Sequence, residues 1–191
     1  MRPARAPRLD VLVNNAGRGY YARVSEIDAT ELARLFALNV LAPLALTQHA
    51  LPALTAAAGT VVMISSVAGV AAAPTMGAYA ASKFALEALA MSLRAEVAAS
   101  GVRVLVVRPG PVATEFRDHA VATAAESLKS PPAASEDRQP AHEVAAQVVR
   151  GVQRGRAVVE TSLYVRAVSL AARALPPLFR FATQRLARSR A

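Results

Sequence analysis

Tyr79 and Lys83 stand at i and i+4 in the run Tyr79-Ala80-Ala81-Ser82-Lys83, a spacing that places both side chains on one face of a helix. An isolated tyrosine, with a pKa of about 10, holds its proton too firmly for efficient exchange near neutrality. A neighbouring ammonium favours phenolate and lowers that pKa, so the pair makes a tunable acid/base. Ser66 lies 13 residues earlier and is able to donate a hydrogen bond to the same substrate oxygen. Spacing alone also fits a surface tyrosine beside a solvated lysine, and the reading therefore depends on what surrounds the pair.

The elements that must position these groups are short. Leu9 to Val13, Thr60 to Ile64 and Val102 to Val107 are near-continuous apolar runs rich in β-branched residues, the pattern of strands covered on both faces. Ala157 to Glu160 is a weaker fourth strand. In an open parallel sheet, ligands bind outside the carboxyl ends of the strands, and the unusual residues gather there. The first run ends in Asn14-Asn15-Ala16-Gly17, the second in Ser65-Ser66, the third in Arg108-Pro109-Gly110-Pro111-Val112-Ala113-Thr114. Any one of these endings also reads as an ordinary turn. Three on one rim point to a single site.

Helical patterns separate the strands. Asp28 and Glu31 have capping-box spacing and open a helix to about Leu54, which Pro43 and Pro52 bend or end. A second helix runs from about Gly77 to Ser100, with Leu86, Leu89, Leu93 and Val97 at helical spacing and Gly101 as a stop. A third spans about Pro140 to Gly155. Strands alternating with helices imply right-handed crossovers and an α/β fold with a parallel sheet. Residues 118–139 read as a lid or long loop. After Thr161 a helix continues to about Leu175, where Pro176-Pro177 breaks it.

The net charge of +9 is carried by the ends. Residues 1–8 form a basic start with three arginines, residues 161–191 a basic tail with six, and residues 9–160 sum to zero. A nucleic-acid groove spreads its basic residues over the folded body, so no nucleic-acid partner is expected. The chain has no cysteine and only three histidines, His49, His119 and His142, none within ligand spacing of another, so no metal site is expected. No signal peptide or membrane-spanning run is read, which favours the cytoplasm. In the tail, Ser162, Arg166, Ser169 and Arg173 form a polar stripe amid Leu163, Val165, Val168, Leu170 and Leu175. That stripe reads either as the wet edge of a packed amphipathic helix or, with Phe179, Phe181 and the arginines, as peripheral membrane contact with an anionic surface.

Asn14-Asn15-Ala16-Gly17, Leu38-Asn39-Val40, Ile64-Ser65-Ser66-Val67-Ala68-Gly69, Tyr79-Ala80-Ala81-Ser82-Lys83 and Arg108-Pro109-Gly110 occur in the order and spacing of the short-chain dehydrogenase/reductase family, which residues 9–160 resemble. The resemblance implies a partial Rossmann-like, doubly wound parallel sheet holding the catalytic portion of an NAD(P)(H)-dependent oxidoreductase. It implies Tyr79 as acid/base toward a carbonyl or alcohol, Lys83 lowering its pKa and binding the nicotinamide ribose, Ser66 polarising the carbonyl, and Asn39 holding a proton-relay water. By its residue type alone, Asn39 also reads as an amide satisfying a helix irregularity. Asn14, Ala16 and Gly17 would line the cofactor with Tyr79, Lys83 and Pro109, while Val112 and Thr114 would meet its carboxamide; NAD and NADP are not distinguished. Family members pair as homo-oligomers through the helices near 29–54 and 78–100.

Residues 1–191 depart from the family at the beginning. The first βαβαβ half, with its Thr-Gly-x-x-x-Gly-x-Gly turn for the pyrophosphate, is absent from them. Gly17-Arg18-Gly19-Tyr20-Tyr21-Ala22 imitates a dinucleotide fingerprint, but a true one opens a helix at once and this one waits for Asp28. Either Met1 is internal to a longer enzyme or the chain has lost cofactor binding. An uncovered sheet edge is an aggregation hazard, which favours the first. The substrate expected is a small lipophilic carbonyl or alcohol. The competing function is an inactive remnant acting as a dimerisation or scaffolding module. A serine hydrolase is disfavoured, because Ser66 lacks a G-x-S-x-G elbow.

Overall fold

The computed structural model describes residues 8–122 and 138–188. Four parallel strands, β1 (Val11–Asn14), β3 (Thr60–Ile64), β4 (Arg103–Arg108) and β8 (Val158–Glu160), lie in the order β1-β3-β4-β8. The register pairs Val13 with Val62, Val62 with Leu105, and Val107 with Val159. All four expected strands form, each within two residues of its expected bounds, and the fold is α/β with a parallel sheet.

The alternation of side chains along a strand divides the core in two. Val61, Met63, Val104 and Val106 face one way and pack with Leu54 of α2 (Ala42–Ala57) and with Leu86 and Ala90 of α3 (Gly77–Glu96). Val62, Leu105 and Val107 face the other way, against Val148 and Val152 of α4 (Ala141–Gln153). β1 is an edge strand here. Leu12 packs into the first cluster, but Val11 and Val13, on the α4 side, are 37% and 48% exposed.

Asp28 caps α1 (Ala29–Phe36) as expected, accepting the Glu31 N–H at 2.8 Å. The reciprocal half of the box does not form. Glu31 pairs instead with Arg18 and Arg34, and the Asp28 N–H donates to the Tyr20 hydroxyl at 2.9 Å. The helix expected to run on to Leu54 is interrupted by a π turn over Ala37–Leu41 before α2 begins with Pro43 in its first turn. Pro52 does not end α2, which continues to Ala57.

Three expectations need correction. No spanning run was expected, yet residues 35–82 contain no Asp, Glu, Lys or Arg, and Ala29–Ala57, which holds an 18-residue stretch of mean hydropathy 1.4, is long and apolar enough to cross a membrane by length and composition. Here its α2 portion covers β1 and β3. Pro176-Pro177 ends α5 (Leu163–Ala174) but also starts a further helix, α6 (Pro176–Arg188), because proline suits the first helical turn. The tail stripe also faces differently. Ser162 caps α5, and Ser169 is only 3% exposed, whereas Leu163 and Leu170 point outward at 79% and 68%. The cause is steric: Val165 docks on Gly110, where a Cβ would come within 3.1 Å of it, so the helix turns its small residues inward.

Short parallel pairs join the outer loops: β2 (Tyr20–Tyr21) with β6 (Val121–Ala122), and β5 (Val112–Ala113) with β7 (Gln139–Pro140). The Gly17–Ala22 segment thus enters a strand and not a helix, which excludes it as a dinucleotide fingerprint. Of the lid expected over 118–139, residues 123–137 lie outside those described.

Candidate active site

The rim at the carboxyl ends of β1, β3 and β4 is a connected unit. The Ser65 N–H donates to the Val107 carbonyl at 2.8 Å, and the Val67 N–H to the Pro109 carbonyl at 2.9 Å. Ser66 has extended backbone and caps the 3-10 turn Val67–Gly69 by accepting the Ala68 N–H at 3.1 Å. That turn packs on α3, so the serine and the first turns of α3 are held together. Gly69 permits the approach: a Cβ there would come within 3.2 Å of the Lys83 carbonyl.

Tyr79 and Lys83 are both buried on α3. Tyr79 is enclosed by Ala68, Ala80, Met76 and Phe116, with the Phe116 ring centroid 5.7 Å away. Burial raises the phenol above its ordinary value of 10, a hydrogen bond with Ser66 opposes the rise, and the nearby Tyr21 adds to it. The Lys83 ammonium, 4% exposed, donates to the Ile64 carbonyl at 2.9 Å and lies 5.8 Å from the centre of the Tyr79 ring. The expectation that Lys83 lowers the Tyr79 pKa is therefore not met within the chain itself. Desolvation is the largest influence on the phenol and favours its neutral, proton-donating form.

Desolvation also lowers Lys83, from 10.5 to about 8. Below that value folded and unfolded chains both carry the proton, and the cost of burying it is fully present. Between about 8 and 10 only the unfolded chain stays protonated, so stability rises with pH across that window. Above about 10 Tyr79 acts in the opposite direction, because only the unfolded phenol loses its proton. Urea unfolding should show stability rising by on the order of 2 kcal/mol from about pH 7 to about pH 10, a rise missing in Lys83→Met. The same slope in the variant would remove Lys83 as its source.

Gly17 and Asn39 complete the near side. A Cβ on Gly17 would lie 3.1 Å from Asn39 Oδ1 and 3.5 Å from Lys83 Nζ, so glycine leaves the ammonium approachable. Asn39 sits in the π turn, and its side chain is fully engaged. Its Oδ1 accepts the Arg18 N–H, and its Nδ2 donates to the Arg18 carbonyl and to Ser82 Oγ, each at 3.0 Å. The amide ties the β1 loop to α3 beside Lys83. Asn14 is buried and donates to Thr47 Oγ1 at 3.0 Å, which holds the end of β1 to α2. Ala16 lies exposed in the open loop beyond. Val112 and Thr114 stand further out, in β5 and in the turn that Thr114 caps through Phe116 N–H.

A nicotinamide cofactor fits two of these features. Among the described residues the buried Lys83 ammonium has one acceptor, Ile64 O, which leaves two of its three donors for sugar hydroxyls, and Gly17 keeps the space beside it clear. Several residues around the site carried a weak sequence signal or none. Ser82, inside the Tyr79–Lys83 run, proved to be the partner of Asn39. Tyr21 and Phe116 reach Tyr79 from distant loops. Arg108, from the rim motif, turns away from Tyr79 into a buried bidentate pair with Glu87 at 2.8 Å and 2.8 Å, and adds Glu160 at 3.2 Å. Glu87 was legible only as an acid on the otherwise apolar face of α3 that carries Lys83, Leu86 and Ala90.

The family model described as short chain dehydrogenase matches residues 3–125. An uncharacterised oxidoreductase, YbbO, of Escherichia coli K12 is 43% identical over 109 residues, 56% of this chain and 40% of that protein. An NADPH-dependent 3-dehydrocapnine reductase of Ornithobacterium rhinotracheale is 42% identical over 113 residues, with the same shares. The chain thus spans about 40% of the length of these curated relatives. Among solved structures, a short-chain dehydrogenase from Streptomyces avermitilis superposes with a TM-score of 0.77 at 28% identity, over 95% of this chain and 70% of that one. A short-chain dehydrogenase from Sphingobium yanoikuyae in complex with NADPH gives 0.71 at 27% identity, over 85% and 61%.

Proposed function

Because the chain belongs to the short-chain dehydrogenase family, we propose that it is the catalytic portion of an oxidoreductase that passes hydride between NAD(P)(H) and a carbonyl/alcohol pair. The observation that carries this reading is the buried Tyr79 phenol, whose pKa Ser66 acts to lower, with an underused Lys83 ammonium 5.8 Å from its ring, on the rim of a parallel sheet.

When bound, a nicotinamide would supply hydride to the carbonyl carbon. Tyr79, kept neutral by burial, gives its proton to the carbonyl oxygen as that oxygen gains charge, and takes a proton back from the alcohol in oxidation. Ser66 hydrogen-bonds the same oxygen and positions it. Lys83 holds the nicotinamide ribose and, by its charge, stabilises the phenolate left after transfer. Asn39, with its side chain committed to Arg18 and Ser82, acts through its π turn, whose backbone would hold a relay water near Lys83. Asn14, Ala16, Gly17 and Pro109 form the cofactor wall, with Val112 and Thr114 toward the carboxamide. The apolar surround of Tyr79, Met76 and Phe116 among it, suits a small lipophilic substrate.

The test follows nicotinamide absorbance while NADPH, then NADH, is offered with lipophilic ketones. The NADPH-dependent relative and the NADPH-bound neighbour make NADPH the first to try. Residues 1–191 on their own should bind dinucleotide weakly, since they contain no Thr-Gly-x-x-x-Gly-x-Gly turn. A longer polypeptide that binds nucleotide yet turns over no carbonyl or alcohol would overturn the proposal.

A second reading, a non-catalytic module that pairs with another copy, draws on exposed apolar side chains along the expected dimer helices: Leu41 beside α2, Leu46 on it, and Phe84 and Met91 on α3. Dimerisation through these helices is compatible with either function.

A further inference from the structure

A second concave site lies at the opposite edge of the sheet, away from Tyr79. The ends of α4 and α5 and the turn into β8 enclose a groove of about 570 Å3. Arg150 enters it from the last turn of α4, Arg154 from the cap of that helix, Arg156 from the turn that follows, and Arg166 and Arg173 from α5. Sequence spacing explains each pair separately. Arg154 caps the helix four residues after Arg150, and Arg166 and Arg173, two turns apart within α5, share a helix face. That the two faces meet is a product of the fold, and of the inward rotation of α5 that Val165 and Gly110 impose.

The charge of the groove is uncompensated. Its one acidic lining residue, Glu160, is engaged by the buried Arg108. Among the described residues none of the five groove arginines forms an ion pair, whereas Arg8, Arg18, Arg34 and Arg108 all do. Five like charges around one opening raise the local potential by several kT and draw in anions. Guanidinium presents a planar fork of donors that matches phosphate oxygens bidentately. Convergence from three segments suits a ligand with more than one anionic group.

We propose that this groove binds a phosphate-bearing polyanion, a site separate from the one assigned to hydride transfer and independent of that assignment. The same chemistry is offered by a soluble polyphosphate-type ligand and by an anionic phospholipid headgroup, so the test has an arm for each. The 191-residue chain is titrated calorimetrically with sodium tripolyphosphate, and separately sedimented with phosphatidylcholine vesicles with and without phosphatidic acid. Binding in the first arm assigns a soluble ligand, and binding only to phosphatidic-acid vesicles assigns a headgroup. Affinity should fall steeply with salt. The doubles Arg150→Gln/Arg154→Gln and Arg166→Gln/Arg173→Gln should each weaken the binding at least about tenfold, on the usual worth of hydrogen bonds to charged groups. All four side chains are exposed, so circular dichroism should be unchanged. Arg23→Gln/Arg34→Gln removes the same charge outside the groove and should leave binding within about twofold, as surface charges at a distance do. Absence of binding in both arms, or equal loss in all three doubles, overturns the proposal.

Discussion

Tyr79→Phe should lower carbonyl turnover by about 10²–10⁴-fold, the usual worth of a positioned proton donor, while leaving the fold and nucleotide binding nearly intact. The asymmetry follows from the packing. The ring fills a pocket lined by Ala68, Met76 and Phe116, and phenylalanine fills it equally well. The hydroxyl alone is lost, and with it the acidic hydrogen on which Ser66 acts. A developing alkoxide then has Ser66 to stabilise it but no group to protonate it. The measurement is steady-state NAD(P)H oxidation in the polypeptide that turns over, with nucleotide affinity read separately by fluorescence. Activity within tenfold of wild type would remove Tyr79 from the proton step; equal loss of activity and nucleotide affinity would indicate a collapsed site.

The largest expected effect on stability comes from Arg108. Its guanidinium is buried at the end of β4, bound bidentately by Glu87 of α3 and again by Glu160 of β8, so one side chain fastens a helix and two strands. Arg108→Ala leaves the Glu87 carboxylate buried without its cation, which costs about 3–5 kcal/mol. Most of that cost belongs to the orphaned charge. The double variant Arg108→Met/Glu87→Leu, which removes both charges and keeps the volume, should therefore recover the greater part of the loss. Urea unfolding of the wild type, the single and the double variant separates the two effects. A single variant within about 1 kcal/mol of wild type would mean that the pair contributes no more than an exposed salt bridge does.

Both outcomes bear on how the site is built. Arg108 belongs to a rim motif, and its neighbour Pro109 accepts the Val67 N–H, so the ion pair stabilises the loops that hold Ser66 without touching Tyr79. Lys83 shows the opposite balance: its burial costs stability below about pH 8, while its spare donors suit it to a cofactor. Stability and function thus make different demands on these two buried cations.

The strands, the main helices and the Tyr79, Lys83 and Ser66 constellation were legible in the amino-acid sequence, because each is set by local rules. Continuous β-branched runs make covered strands, an Asp just before a helical pattern, as at Asp28, makes an N-cap, and i,i+4 spacing puts a phenol and an amine on one face. Membership of the family could be read from the same short motifs, since they are contiguous in the chain. Tertiary structure decided what depends on groups far apart in sequence. It set the direction of the Tyr79 pKa, because desolvation, the largest cause, is a property of the whole enclosure. It paired Arg108 with Glu87, 21 residues away, and chose Arg18 and Ser82 as the partners of the Asn39 amide. It also split the polar stripe of α5, burying Ser169 beside Val165 while Arg166 and Arg173 stay exposed, because the shape of Gly110 selected which face could dock. Periodicity specifies which residues share a face; only packing specifies what that face meets.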